Sequence, residues 1–376
     1  MLCEPPVPAR QISMRVVIDA INDNADLRGP DRYLIGLLRG LAARPGGHDY
    51  VVLHAPWQTF FHGLGLPGCF RFQVCRPPRG RLRRVLWHAL RLRTVVQQAG
   101  ADVVHLPNVI FAPALGVPTL MTVHDLAHFR SPEKFGLFRG YLQRGLIRMA
   151  VRLADRLIAV SEFTRCDLHR ILRLPDGKTV VIGEAGPEPL DLQAPPAWRP
   201  YFLYVGRVER SKNIETLVAA FAGSEPLARA GVVLKIAGSA GNASGRVQAL
   251  AASLAPGRVQ LLGHVAEGEL PGLYAAALAF VFPSLVEGFG LVLLEAMAYG
   301  APVVAADATV IPEVVGDAAL LVDGRDAAAL RRALESVHAD PALREELRRR
   351  GRLRLTAFSW QDVADATRAE YERLAA

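Results

Sequence analysis

The chain is poor in cysteine. Cys3, Cys69, Cys75 and Cys166 are scattered, with no Cys-x-x-Cys pair, so neither a disulfide framework nor a zinc site follows. His105, His124 and His128 come nearest to a ligand cluster, but no Asp/Glu/His set at helical metal spacing accompanies them, and no protein-held metal is expected. No window reaches the roughly 18 to 20 apolar residues of a membrane span, and residues 1–13 lack the apolar centre of a secretion signal. A cytoplasmic protein is therefore expected, with an unstructured extension over 1–13. No Gly-x-Gly-x-x-Gly follows the apolar runs at Met14–Ala20 or Tyr201–Val205, which argues against dinucleotide-dependent redox chemistry.

What is present is apolar and basic. Hydrophobic residues make up 51% of 376, enough for two cores, and a chain of this length divides into two domains. The net charge of +8 is unevenly placed: residues 1–190 hold 25 Lys and Arg against 15 Asp and Glu, a surplus of 10. One basic segment runs from Arg76 to Arg93. Another sets Arg144, Arg148, Arg152 and Arg156 at four-residue spacing, which predicts one helical stripe. A solvated helix face and an anionic lipid or acceptor surface both fit that stripe. Nucleic acid does not, because the arginines are not interleaved with aromatics.

Short apolar runs at 14–20, 50–53, 103–105, 119–123 and 157–160 alternate with helical stretches and read as buried parallel strands. The Pro-rich stretch from Gly186 to Pro200 breaks the pattern, which restarts at 201–205, 232–236, 259–262, 279–282 and 302–305. The expected fold class is α/β: two facing, doubly wound, Rossmann-like domains with a cleft between them. Residues 14–190 form the first, 191–358 the second, and 359–376 a helix that packs back on the first. Ligands of such sheets bind beyond the carboxyl ends of the strands, so the residues after each run are the candidates.

Glu287-Gly-Phe-Gly-Leu-Val-Leu-Leu-Glu295 is the most informative of these. Glu295 is the only charge between Phe289 and Val304, and a buried carboxylate needs a partner. Gly288 and Gly290 keep the turn open so that a ligand reaches the helix-start amides, an arrangement suited to a sugar phosphate. A helix-start Glu with a second Glu bonded to a neighbouring loop fits as well. After Val205, Gly206 and then Arg207 and Lys212 place two cations where a diphosphate could be held; a basic surface loop paired with Glu209 and Glu215 is the plainer alternative. His124 and Asp125 follow the 119–123 run, and Ser161 follows Val160 either as a ligand group or as a helix N-cap.

Together these pieces resemble the retaining glycosyltransferases of GT-B fold, in the large Glu-x7-Glu group that includes bacterial surface-glycan mannosyl- and glucosyltransferases. The carriers are Glu287-Gly-Phe-Gly with Glu295, Val205-Gly-Arg-Val with Lys212-Asn213, Val123-His-Asp-Leu126, Val160-Ser-Glu-Phe-Thr164, and the segment from Pro302 to Pro312-Glu313. The resemblance implies that Arg207 and Lys212 hold the donor diphosphate, Glu287 the donor sugar and Glu295 the ribose. It places amides near Phe289, Gly290 and Leu291 on phosphate or sugar, His124 beside the transferred sugar, and Gly238, Gly263 and Val265 around the base. Gly29 belongs to the first-strand loop, where Arg28-Gly29-Pro30-Asp31-Arg32-Tyr33 lacks the second of two usual glycines. The context of Val123–Leu126 followed by Ser131-Pro-Glu-Lys-Phe135 resembles surface-polysaccharide mannosyltransferases. The donor implied is GDP-mannose, with UDP- or dTDP-sugars as alternatives, and the acceptor a glycan or polyprenyl-linked oligosaccharide at the inner face of the membrane. Since fold does not fix function, a sugar-nucleotide epimerase of similar shape is the alternative.

Overall fold

The computed structural model describes residues 14–25, 27, 29–130, 137–190 and 199–376. The expected extension 1–13, Arg28, the 131–135 motif and the middle of the Pro-rich linker lie outside the described residues.

Two parallel sheets organise the chain. The first runs in the order β3-β2-β1-β4-β5-β6-β7, with β1 Arg15–Asp19, β2 Asp49–His54, β3 Phe70–Val74, β4 Val103–Leu106, β5 Thr119–Val123, β6 Arg156–Ala159 and β7 Thr179–Val181. The second runs β10-β9-β8-β11-β12-β13, with β8 Tyr201–Val205, β9 Val233–Ala237, β10 Val259–Gly263, β11 Ala279–Phe282, β12 Val303–Ala306 and β13 Ala319–Val322. Both are doubly wound. In each the order reverses beside the first strand, between β1 and β4 and between β8 and β11, and there a crevice opens beyond the strand ends. Strands β5, β8 and β11 are buried on both faces, which explains their unbroken apolar runs.

Cores form on both faces of the first sheet. One packs Val16, Ile18 and Tyr50 with Tyr33 and Leu37 of the Gly29–Ala43 helix and with Val363, Ala364 and Tyr371. The last three belong to the Trp360–Ala375 helix, which crosses back from the end of the chain. Side chains at Gly36 or Gly40 would collide with Trp360, so these glycines let the two helices touch. The other face carries Leu92, Val96, Ala150 and Val151.

The arginine stripe is shorter than the spacing predicts. The helix ends at Leu153, and Arg156 starts β6, where it pairs with Glu370 at 2.7 Å. Strands β3, β7 and β13 were not anticipated; they lie at or near sheet edges and are only partly buried.

Candidate active site

The second sheet supplies most of the site. Strand β8 ends at Gly206, whose positive φ of 146° takes the chain sharply away, and the neighbouring Gly238 has φ 147°. A Cβ on Gly238 would overlap the Gly206 carbonyl, so the two turns are stacked against each other. Gly238 N–H in turn donates to the Gly263 carbonyl at 2.6 Å. Three consecutive strand ends are thereby held in line.

Beyond Gly206, a short turn at Arg210–Lys212 leads into Asn213, which is left-handed at φ 55°. Its side-chain amide donates to the Gly324 and Pro283 carbonyls at 2.6 and 3.2 Å, fixing the turn. Lys212 is thereby aimed at Glu287, with Nζ 2.5 Å from Oε1. Arg207 sits at the rim, half-exposed, pairing with Glu209 at 3.1 Å and donating from Nε to the Ala240 carbonyl.

Gly290, at φ 96°, starts the Leu291–Ala298 helix without a side-chain cap. The first amides of a helix have no intrahelical acceptor and carry its positive end, so they are available to an anion. Glu295, one turn further in, is buried. Its Oε1 accepts from Arg32 Nη1 at 2.5 Å, and Oε2 accepts from the Tyr274 hydroxyl at 3.4 Å. Burial raises the Glu295 pKa above the ordinary carboxylate value, and the Arg32 charge opposes that rise.

The first sheet closes the cleft. Ser161 caps the Glu162–Leu172 helix by accepting from Thr164 N–H, and its hydroxyl also donates to the Gly288 carbonyl at 2.9 Å. Glu313 takes the backbone amides of Glu162 and Phe163 at 2.8 and 3.1 Å, tying β12's following turn to the opposite sheet. His124 lies against Gly288 through its carbonyl. Its Nδ1 meets Glu184 Oε1 at 2.8 Å and its Nε2 the Pro107 carbonyl at 2.9 Å. A carboxylate and a carbonyl facing the two ring nitrogens favour the doubly protonated, positive ring. Burial disfavours that charge, but the Glu184 hydrogen bond and charge outweigh it and raise the pKa.

A cavity of about 310 Å³ joins these groups. Of the residues expected from sequence, Gly29, His124, Gly206, Arg207, Lys212, Glu287, Gly288, Phe289, Gly290, Leu291 and Glu295 line it. Gly238, Gly263 and Val265 do not; they lie further along the strand-end row. Arg32, Tyr204 and Glu184 line it without having been singled out. Glu184 had a readable signal, being an acid in the apolar stretch Val180-Val-Ile-Gly-Glu-Ala. A second cavity of about 860 Å³ shares Arg32, Leu291 and Glu295, so the Arg32–Glu295 pair stands as a partition between two chambers of the cleft. Among the described residues, no cluster of three metal-ligating side chains occurs.

Residues 193–354 match the family model for glycosyl transferases group 1, and residues 27–184 match that for glycosyltransferase family 4. The O-antigen chain mannosyltransferase B of Escherichia coli is 31% identical over 301 residues, covering 77% of this chain and 79% of that one. The chain belongs to the group 1 glycosyltransferases. An α-maltose-1-phosphate synthase of Mycolicibacterium smegmatis is 33% identical over 304 residues, 72% of this chain and 76% of that protein. In architecture this glycosyltransferase is similar to the sucrose-phosphate synthase of Thermosynechococcus elongatus, with a TM-score of 0.76, 24% identity, and coverage of 96% and 99% of the two chains. The fold is thus GT-B, and the cavity lies where the two sheets of that fold face each other.

Proposed function

We propose that this glycosyltransferase moves mannose, with retention and without a metal, from GDP-mannose to a hydroxyl of a glycan or polyprenyl-linked glycan in surface-polysaccharide synthesis at the cytoplasmic side. The observation carrying the reading is the convergence of Lys212, Arg207 and the Leu291 helix start on one cavity, where Lys212 also pairs with Glu287. A departing nucleotide diphosphate needs positive charge where its negative charge grows, and preorganised cations and amides supply it. Glu287, oriented by Lys212, accepts from donor sugar hydroxyls, while Glu295 accepts from ribose. The bond from the anomeric carbon to the phosphate oxygen breaks, its electron pair staying on the diphosphate. The acceptor oxygen bonds on the same face, and the leaving phosphate takes its proton. The positive His124 ring lines the sugar side, where it supports the anionic leaving group.

The mannosyl assignment leans on the O-antigen relative; the maltosyl-phosphate synthase keeps glucosyl donors in contention. Thermal shifts with GDP-, UDP- and dTDP-sugars, followed by transfer assays with the stabilising donor, test it. A shift with GDP-mannose alone is the expected result, and stabilisation by a UDP-sugar alone would replace the mannosyl donor. Isomerised sugar nucleotide formed in the absence of acceptor would replace transfer by epimerisation.

A further inference from the structure

The outer helical layer of the first sheet turns a row of leucines outward. In the Arg81–Trp87 helix and the π turn His88–Leu92 that continues it, Leu82, Leu86 and Leu90 are 69%, 59% and 66% exposed. Their four-residue spacing puts them on one face. Inward, Trp87 and Leu92 pack on the core, while buried His88 meets Asp19 at the end of β1 at 3.0 Å and Arg84 pairs with Asp23. A surface helix normally keeps polar residues on the face that Leu82, Leu86 and Leu90 occupy.

The Leu137–Leu153 helix repeats the pattern. It exposes Leu142, Met149 and Leu153 beside the exposed Arg148 and Arg152. Leu92, Val96, Ala150 and Val151 pack in one cluster, so both helical stretches cover the same sheet face and their solvent sides point the same way. Acid is missing from both: no Asp or Glu occurs from Tyr50 to Ala101 or from Leu137 to Ala154, while Arg83, Arg91 and Arg93 are exposed alongside the leucines. Apolar side chains standing among arginines on helices that carry no carboxylate suit one kind of surface, in which negative headgroups cover an apolar interior.

We propose that this layer docks on an anionic phospholipid bilayer, with Leu82, Leu86 and Leu90 entering the headgroup–acyl boundary and the flanking arginines held by headgroup phosphates. The docking rests on this surface and not on the transfer chemistry. It would bring a lipid-anchored acceptor to a cleft whose His124 is joined to the Leu137–Leu153 helix through the Ala127–Arg130 turn, where Phe129 packs under Arg148 at 4.9 Å.

The test is sedimentation of the full chain with vesicles of phosphatidylcholine alone or mixed with phosphatidylglycerol. Binding to the mixed vesicles only, weakening steeply with salt, is expected. An exposed arginine is worth about fivefold in partitioning, so Arg83→Glu/Arg91→Glu should reduce binding by at least about tenfold. Leu82→Ser/Leu86→Ser/Leu90→Ser should do the same while transfer to a soluble acceptor persists. Wild-type binding by both variants, or equal binding to both vesicle types, would overturn the proposal. So would a wild-type dimer, seen by light scattering, that the leucine variant dissociates and that ignores vesicles, since the face would then be a contact between copies.

Discussion

Arg32 and Glu295 sit on helices that flank different sheets and meet at 2.5 Å, so a cation from the Gly29–Ala43 helix already holds the carboxylate assigned to ribose. Glu295→Gln should weaken nucleotide binding by about tenfold, the size of one hydrogen bond to a charged group. Titration calorimetry reads this directly, and unchanged affinity would remove the ribose role.

Arg32→Ala tests the same pair from the other side. It leaves a buried carboxylate without its counter-charge, and with the Arg32 side chain 31% exposed the cost at neutral pH should be about 1–3 kcal/mol. The Glu295 pKa already stands above the unfolded value of 4.5, and losing Arg32 raises it further. Below pH 4.5 the group is protonated in both states, so the penalty should shrink there and grow as pH rises through the folded pKa. Denaturant melts at acid and neutral pH check the sign; a penalty independent of pH would place the loss in packing instead.

Lys212 and Arg207 are the charges invoked for the leaving diphosphate. Replacing either by alanine should lower transfer by about two orders of magnitude, the usual scale for one preorganised contact of this kind. Arg207 now leans on Glu209 at the rim, so its loss should leave stability nearly unchanged, whereas Lys212→Ala also strands Glu287. Near-normal turnover in both folded variants would refute the clamp.

The central strands were legible because parallel strands buried on both faces must be apolar throughout, as Tyr201-Phe-Leu-Tyr-Val205 is. Edge strands carry no such demand: Phe70-Arg-Phe-Gln-Val74 alternates, and Thr179–Val181 is short and half-exposed, so neither stood out. Glu287, Lys212 and the glycines could be named as candidates because topology puts ligands beyond strand ends. Their pairing could not be read, since Lys212 and Glu287 are 75 residues apart and Arg32 and Glu295 are 263 apart. Arg156 was misassigned because a four-residue spacing does not reveal where a helix stops. His124 was rightly placed at a strand end, but its engagement by Glu184 and Pro107 depends on two other segments.

His105, which does not line the cavity, offers a pH signature. Fully buried between the Tyr371 hydroxyl and Thr122 Oγ1, it is pushed by desolvation down to about 3 from an unfolded value of 6.5. A histidine with a depressed pKa binds its proton in the unfolded chain first, so it removes stability as pH falls from 6.5 toward 3. This slope is about 1.4 kcal/mol per pH unit for one proton. His105→Gln should flatten the acid limb of a stability–pH curve relative to wild type, even with lower stability at pH 8. A variant that keeps the full acid slope would assign it to other groups.

Gly288 packs directly against the segment that follows β5. A Cβ there would run into the His124 carbonyl and come within 2.8 Å of Asp125 Cβ, while the Gly288 carbonyl accepts from Ser161 and Thr164. Each sheet packs largely around its own core, so Gly288→Ala should not unfold the chain but should wedge the cleft open. Reacting groups displaced by about 1 Å lose on the order of a hundredfold in rate. Far-ultraviolet circular dichroism should therefore stay near wild type while transfer falls about that far, and small-angle scattering should report a larger radius of gyration. Full activity at an unchanged radius would mean that the sheets yield at this contact, and that Ser161 and Glu313 set the cleft without Gly288.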